Sequence, residues 1–285
     1  MAFDVARIPE NLKTAYRERR CAVFVGAGAS MGAGLPSWEK LLSDMLTEAR
    51  GHHLVSDSKA AGYEKIIADP SKYLMAAAGL KDDLGGEFNE FIIKTFIDSK
   101  PQPTELHKAL VAAQLFQFVL TTNYDTLLEK AYRGTGLEEV PVFSFIDAGE
   151  VQRRLSKREF FILKAHGDAT RPGNGVVLTE VDYREVLYRR RAYQSLLSTI
   201  FTMFSVVFVG ASMTDPEIKL LLAYIADSFS PSGGPSHFAL MAEEEISDVE
   251  RERWRKDWKV QIVPVSKADN FVELTEFVKA LATLS

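Results

Sequence analysis

Six short, nearly continuous apolar runs recur along the chain, at residues 21–25, 116–121, 160–164, 206–209, 237–241 and 260–265. Unbroken apolar character, rather than alternation, marks strands that are buried on both faces. Each run is followed by a loop and then by a helical pattern, the alternation that builds a parallel sheet with helices on both faces. A Rossmann-like α/β fold is therefore expected. Roughly ninety residues separate the first two runs, where a single crossover needs about a dozen, and 63–97 reads as helical. One domain over residues 1–285 is expected, carrying an inserted helical subdomain at about 47–114.

Composition narrows the function classes. With 46% hydrophobic and 26% charged residues, the chain has ample material for a core and none of the bias of a disordered protein. Its formal net charge of -5 argues against a general binder of nucleic acid or of membrane surfaces, which neutralise phosphates with excess Lys and Arg. Cys21 is the only cysteine, which excludes an intramolecular disulfide and a thiolate-caged zinc site built by one chain. No run is apolar and long enough to cross a bilayer, and residues 1–20 lack a signal-peptide core. A cytoplasmic protein is expected.

The polar residues that matter stand at the ends of the runs. The first leads into Gly26-Ala27-Gly28-Ala29-Ser30 and the second into Thr121-Thr122-Asn123-Tyr124-Asp125. The third leads into His166-Gly167-Asp168, and the fourth into Gly210-Ala211-Ser212, with Asp215 beyond. Open α/β sheets bind ligands outside the carboxyl ends of their strands, so four such loops at one edge make a candidate site. Small residues at 26–30 let the backbone approach a diphosphate, and a helix beginning near Ser37 offers amides to anionic oxygens. There is no Gly-Lys-Ser/Thr ending, so a phosphate-binding NTPase loop is not indicated. The dehydrogenase fingerprint is also incomplete: Met31 stands where its third glycine belongs, and the stretch that should be its second strand looks helical.

Together these residues resemble a known family. The segments G-A-G-A-S-M-G-A-G-L-P-S-W at 26–38, T-N-Y-D at 122–125, H-G-D at 166–168 and G-A-S-M-T-D at 210–215 look like the sirtuin superfamily, and more narrowly like bacterial sirtuin-like NAD hydrolases of antiphage defence. The chain departs from protein-deacetylating sirtuins in two ways. A single cysteine cannot build their four-cysteine zinc ribbon. Thr122-Asn123-Tyr124-Asp125 and Pro36-Ser37-Trp38 stand where those enzymes usually have Gln-Asn-Ile-Asp and an acidic-Phe-Arg sequence. The resemblance thus implies NAD cleavage rather than peptide deacetylation. It implies Asn123 and His166 as the catalytic pair and Asp125 at the nicotinamide end. Gly26, Ala27, Gly28 and Ser30, with Thr122, Gly210, Ser212 and Asp215, would contact the rest of the dinucleotide. NAD enters as substrate, with no further cofactor and no metal.

The residue types suit that chemistry. Nicotinamide in NAD is already a cationic leaving group, so its bond to ribose breaks without a general acid, unlike an ordinary glycosidic bond. An amide such as Asn123 can hold a water or a ribose hydroxyl, and a histidine can take the proton. Structural roles compete for the same residues. Asn123 and Asp125 can form an Asx turn that caps a helix over 126–132. His166 can be a strand-end histidine bonded to backbone, and Asp215 before Pro216 has the form of a helix N-cap. His107 reads as packing, His52-His53 as a surface loop, and Arg189, Arg190 and Arg191 as a solvated face or a subunit contact.

Three functions remain open at this stage: NAD hydrolysis, transfer of ADP-ribose or an acyl group to another acceptor, and non-catalytic sensing of NAD or ADP-ribose. The sirtuin-like motifs occupy most of the chain, so control by self-association or by a second chain is expected. The resemblance offers a HerA-like ATPase or a short Argonaute protein as that second chain. The opposite charges of the arginine run and of the acidic stretch 243–250 suit a contact within a homo-oligomer, and Gly79, Gly85 and Gly86 are candidate hinges.

Overall fold

The computed structural model describes residues 3–135, 139–213, 215–228 and 234–284. Seven strands form one sheet: β1 (Cys21–Val25), β2 (Val119–Thr121), β3 (Val142–Ser144), β4 (Ile162–Lys164), β5 (Ser205–Val209), β6 (His237–Ala242) and β7 (Val260–Val265). Their order is β3-β4-β2-β1-β5-β6-β7, and all neighbours are parallel. The chain builds the half on one side of β1 first, then crosses over β1 to lay down β5, β6 and β7 on the other. Such a reversal opens a crevice at the carboxyl ends of the central strands.

The pleat sorts each strand between two cores. Cys21, Val23 and Val25 face one cluster of buried side chains, and Ala22 and Phe24 face the other; Val207 and Val209 divide from Val206 and Phe208 in the same way. The first face is covered by α1 (Glu10–Arg17), α7 (Glu105–Ala112), α8 (Leu127–Arg133) and α14 (Ala268–Ala282). The second is covered by α9 (Ala148–Lys157), α10 (Glu180–Arg184), α11 (Arg191–Met203), α12 (Pro216–Ser228) and α13 (Asp248–Trp258). Burying a Phe or Leu side chain in either core stabilises the fold by about 1.5–3 kcal/mol.

Between β1 and α7 lie α2 (Gly28–Met31), α3 (Trp38–Gly51), α4 (Asp57–Ile67), α5 (Tyr73–Leu84) and α6 (Glu87–Ile93). Helices α3 to α6 gather a third core, from Leu35 to Phe96, which also takes Tyr124, Ala169, Val176 and Leu178 from the loops at the sheet edge and Leu127 from the start of α8. That helical layer is thereby packed onto the loops that end β2 and β4. Helix α7 sends Leu106, Ala109 and Leu110 into the sheet core. Gly79 lies inside α5, where a Cβ would fall 2.5 Å from the Tyr63 hydroxyl oxygen, so close packing explains this glycine.

Two local differences from the sequence reading have simple causes. Strand β3 was not among the six apolar runs, because it is three half-buried residues at the sheet's edge with a single neighbour. The helix expected over 126–132 starts one residue later, since Thr126 stands outside it as the N-cap residue.

Candidate functional site

The register of the sheet brings the polar loops into line. Val25 of β1 pairs with Thr121 of β2 and with Val209 of β5, so Gly26, Thr122 and Gly210 leave the sheet side by side. Thr121 pairs with Lys164 of β4, so Asn123 and His166, each two residues further on, hold equivalent places on adjacent strand ends.

The backbones of two of these loops touch. Gly28 N–H donates to the Gly210 carbonyl at 2.9 Å, and Gly26 N–H to that of Val209 at 3.0 Å. A Cβ on Gly26 would lie 2.6 Å from the Gly210 oxygen, and one on Gly210, at φ +63, would lie 2.6 Å from Ala29 N. Glycine is needed at 26 and 210 for this contact alone. The amides of Gly28, Ala29 and Ser30 are all bonded within these loops, whereas Ala27 and Gly28 remain exposed to solvent.

Asn123 anchors a buried polar network. Its N–H donates to Thr121 Oγ1 at 3.0 Å, and that hydroxyl donates to the Val25 carbonyl at 2.8 Å. Its Nδ2 donates to the Gly26 carbonyl at 3.1 Å and to Ser30 Oγ at 2.9 Å. Ser30 Oγ donates in turn to Asp125 Oδ2 at 2.8 Å, while Asp125 Oδ1 accepts from Leu127 N–H at 2.9 Å at the head of α8. Asp125 thus caps a helix and joins the network at once. Asn123 is only 8% exposed, and among the described residues its Oδ1 has no hydrogen-bond partner. A buried carbonyl oxygen without a donor costs about 1–3 kcal/mol, which a bound hydroxyl or water would recover.

His166 forms a second group. Its Nε2 lies 3.3 Å from Asp215 Oδ2, its ring meets that of Tyr183 edge-on at 5.2 Å, and Tyr183 donates its hydroxyl proton to the same Asp215 oxygen at 2.9 Å. Burial pushes the His166 pKa below the usual imidazole value, and the Asp215 carboxylate only partly opposes this. The ring is therefore neutral, and able to accept a proton, at pH 7. Asp215 is also the N-cap its sequence suggests, with Oδ1 accepting from Ile218 N–H at 3.2 Å. Thr122 is half-buried on the loop after β2, and Ser212 is exposed on the loop after β5. Thr214 of the fourth motif lies outside the described residues.

Lys164, which the sequence reading placed only as the end of a strand, ties the two loops together. It is fully buried, with Nζ 2.6 Å from Glu129 and 3.2 Å from Asp168, and it donates to the Tyr124 carbonyl at 3.3 Å. Desolvation works against its charge, but the two carboxylates outweigh it and hold the pKa above the ordinary lysine value. The Tyr124 carbonyl also accepts from Ala169 N–H, so the backbone between Asn123 and Asp125 is clamped to β4. One signal was visible in the sequence: a lysine ending an otherwise apolar strand two residues before a histidine.

The remaining histidines are elsewhere. His107 Nδ1 accepts from Thr104 N–H at 3.2 Å, closing the N-terminus of α7. His52 and His53 are exposed, and His52 lies 3.5 Å from Glu48. An open groove of about 600 Å³ runs between α3 and α6, lined by Met31, Ser37, Lys40, Glu48, Phe91 and Lys94 among others, and includes neither Asn123 nor His166. Among the described residues no three His, Cys, Asp or Glu side chains are grouped as a metal site, and no helix is long and apolar enough to cross a membrane.

A family model described as "SIR2-like domain" matches residues 117–263. "NAD(+) hydrolase ThsA" of Bacillus cereus (strain MSX-D12) is 29% identical over 230 residues, covering 80% of this chain and 44% of that protein. "Defense-associated sirtuin 2" of Bacillus subtilis is 28% identical over 225 residues, covering 78% of this chain and 21% of that protein. "NAD(+) hydrolase ThsA" of Enterococcus faecium is 25% identical over 305 residues, covering 98% and 58% respectively. The chain therefore spans less than two thirds of the length of each of these relatives.

Proposed function

The chain belongs to the SIR2-like domain family, and from that premise we propose that it hydrolyses NAD to nicotinamide and ADP-ribose, as a NAD-depleting effector of bacterial antiphage defence. The observation that carries this reading is the unpartnered Oδ1 of Asn123, buried at a strand end beside the one that bears His166. Relatives named as NAD(+) hydrolases support the choice of substrate.

The reaction breaks the bond between the ribose anomeric carbon and the nicotinamide nitrogen, and the electron pair leaves with nicotinamide. Water supplies the new C–O bond and loses one proton, so the products are nicotinamide, ADP-ribose and H⁺. Asn123 Oδ1 accepts a hydrogen bond from the attacking water or from a ribose hydroxyl, its Nδ2 being occupied by Gly26 and Ser30. Neutral His166 takes the proton. Asp125 contacts the nicotinamide end, while Gly26, Ala27, Gly28, Ser30, Thr122, Gly210, Ser212 and Asp215 line the path of the rest of the dinucleotide. No metal is required, and chelators leave the rate unchanged.

Asn123 and His166 are 8% and 4% exposed, and opening of the loops around them would give the nicotinamide end of NAD access. Of the expected insertion 47–114, the helices of the third core, α3 to α6, are the natural moving part, while α7 stays with the sheet; ordering of that layer over the nicotinamide pocket would switch the enzyme on. Assembly supplies the trigger in this account, through a homo-oligomer or a partner such as a HerA-like ATPase or a short Argonaute protein. Arg189 and Arg190 are exposed and paired with Glu185, and in the 243–250 stretch Glu243 and Asp248 are paired with Arg251 and Glu245 with Lys267, so a contact between the two stretches across subunits would exchange these exposed pairs.

Mixing the purified chain with NAD and following nicotinamide tests the reading. Release without any acceptor, with equimolar ADP-ribose, is expected; release only when an acceptor is added would make the chain a transferase, and binding without release would make it a sensor.

A further inference from the structure

The segment 175–179 and the helix that follows it, α10, border His166. A Cβ on Gly167 would run into the Gly175 carbonyl oxygen, so the segment crosses directly over the residue after the histidine. Val177 N–H donates to the His166 carbonyl at 2.9 Å, and Tyr183 of α10 sets its ring edge-on to the imidazole, with centroids 5.2 Å apart. Side chains from this stretch go to opposite sides: Val177 and Tyr183 join the sheet core, while Val176 and Leu178 join the core of the helical layer. The stretch is thus the boundary between that layer and His166. Lys81 of α5 grips it from the layer side. Its Nζ donates to both oxygens of Asp182 at 2.8 Å, lies 3.5 Å from the Val176 carbonyl and sits 5.2 Å from the Phe88 ring of α6. Asp182 in turn accepts from the N–H groups of Leu178 and Thr179, at 3.1 and 2.9 Å, so its carboxylate gathers the segment, α10 and the lysine.

We propose that Lys81 is a positioning residue for His166: by pinning the 175–183 stretch to α5, it makes the seating of the histidine depend on the position of the helical layer. The inference rests on the reading of His166 as the base in NAD cleavage and deepens the account of the moving layer α3 to α6. When that layer swings away, α5 carries Lys81 with it, and either the ion pair breaks or the stretch follows. Both loosen the packing around the imidazole. When the layer docks, the pair closes and the stretch is pressed back onto the histidine. A reacting group misplaced by about 1 Å can lose about a hundredfold in rate, so small shifts of this boundary suffice for control. Lys81 and Asp182 are only 27% and 24% exposed, and a partly desolvated pair with two charge-assisted bonds holds a defined geometry where a surface pair does not.

Lys81→Met removes the charge and keeps most of the side chain's length, and Lys81→Arg keeps the charge. Lys59→Met is the control, since it breaks a pair with Asp83 that lies within the layer, between α4 and α5. Each variant is followed by amide hydrogen exchange along 175–184 and along β6, by the ring-proton signals of His166, assigned with His166→Gln, and by kcat and KM for NAD. Lys81→Met is expected to speed exchange along 175–184 by about tenfold or more with β6 unchanged. It is also expected to shift or broaden the His166 ring signals, and to lower kcat by about fivefold or more with KM within about twofold. Lys81→Arg restores most of each property, and Lys59→Met leaves all of them as in the unaltered chain. Unchanged exchange and ring signals in Lys81→Met would overturn the proposal. So would the same changes in Lys59→Met, which would mark a general loosening of the layer, and so would altered ring signals beside an unchanged kcat. If the unaltered protein releases no nicotinamide, the reading of the reaction fails separately, and the exchange and ring signals still decide whether Lys81 seats His166.

Discussion

Gly210 shows how tightly single residues set the site. At φ +63 it occupies the left-handed region, and a Cβ there would lie 2.6 Å from Ala29 N, a backbone atom that cannot swing away. Gly210→Ala is therefore expected to cost about 2 kcal/mol or more in urea unfolding, from the left-handed backbone and the clash together, and to reduce NAD cleavage by displacing the Gly26 loop. The control is Gly62→Ala in α4, where a Cβ meets open space and a gain of about 0.5–1 kcal/mol is expected. A neutral Gly210→Ala would mean that the contact between the two loops does not constrain the site. At this scale the sequence was readable where residue type and strand end coincide, as at Asn123, His166 and the glycines. The contacts of Tyr183 with Asp215 and His166, and of Lys164 with Glu129, join residues 17 to 35 positions apart, and no local pattern announces them.

Among the elements, β4 is joined to α8, the helix that follows β2, by a buried ion pair between Lys164 and Glu129. Removing one member of such a pair strands the other charge and typically costs about 3–5 kcal/mol, whereas removing both is far milder. Lys164→Met is accordingly expected to destabilise the fold severely and to lower NAD cleavage, and Lys164→Met with Glu129→Leu to recover much of the stability. Equal losses in the single and double variants, measured by urea unfolding, would show that the pair is not coupled. The strands and their parallel order were legible because continuous apolar runs followed by helices admit few arrangements. Strand β3 was not, since an edge strand of three half-buried residues has no such run. Helix α7 falls within the stretch expected as an inserted helical subdomain yet belongs to the sheet's core, because amphipathic spacing tells that a face is buried and not what buries it.

For the whole molecule, three buried histidines bear on acid stability. Burial lowers the pKa values of His107, His166 and His237, that of His237 to about 4. The unfolded chain takes up a proton on His237 from about pH 6.5 downward, while the folded chain resists until about 4. This contribution is complete above pH 6.5 and is lost as pH falls through that window, about 2 kcal/mol between pH 7.5 and 5.0 from His237 alone. Urea unfolding at the two pH values is expected to show at least that loss, and a smaller one in His237→Asn, whose amide oxygen can still accept from Val206 N–H in place of Nδ1. The same closed packing makes assembly the expected control: turnover per chain should rise with protein concentration alongside mass in solution, and a fully active monomer would contradict it. The most direct test of the central claim compares ADP-ribose formation from NAD by the unaltered chain with that by Asn123→Ala and His166→Ala, each checked for folding by thermal melting. The account predicts steady ADP-ribose formation by the unaltered chain and a loss of at least about a hundredfold in each variant; full activity in both variants would contradict it.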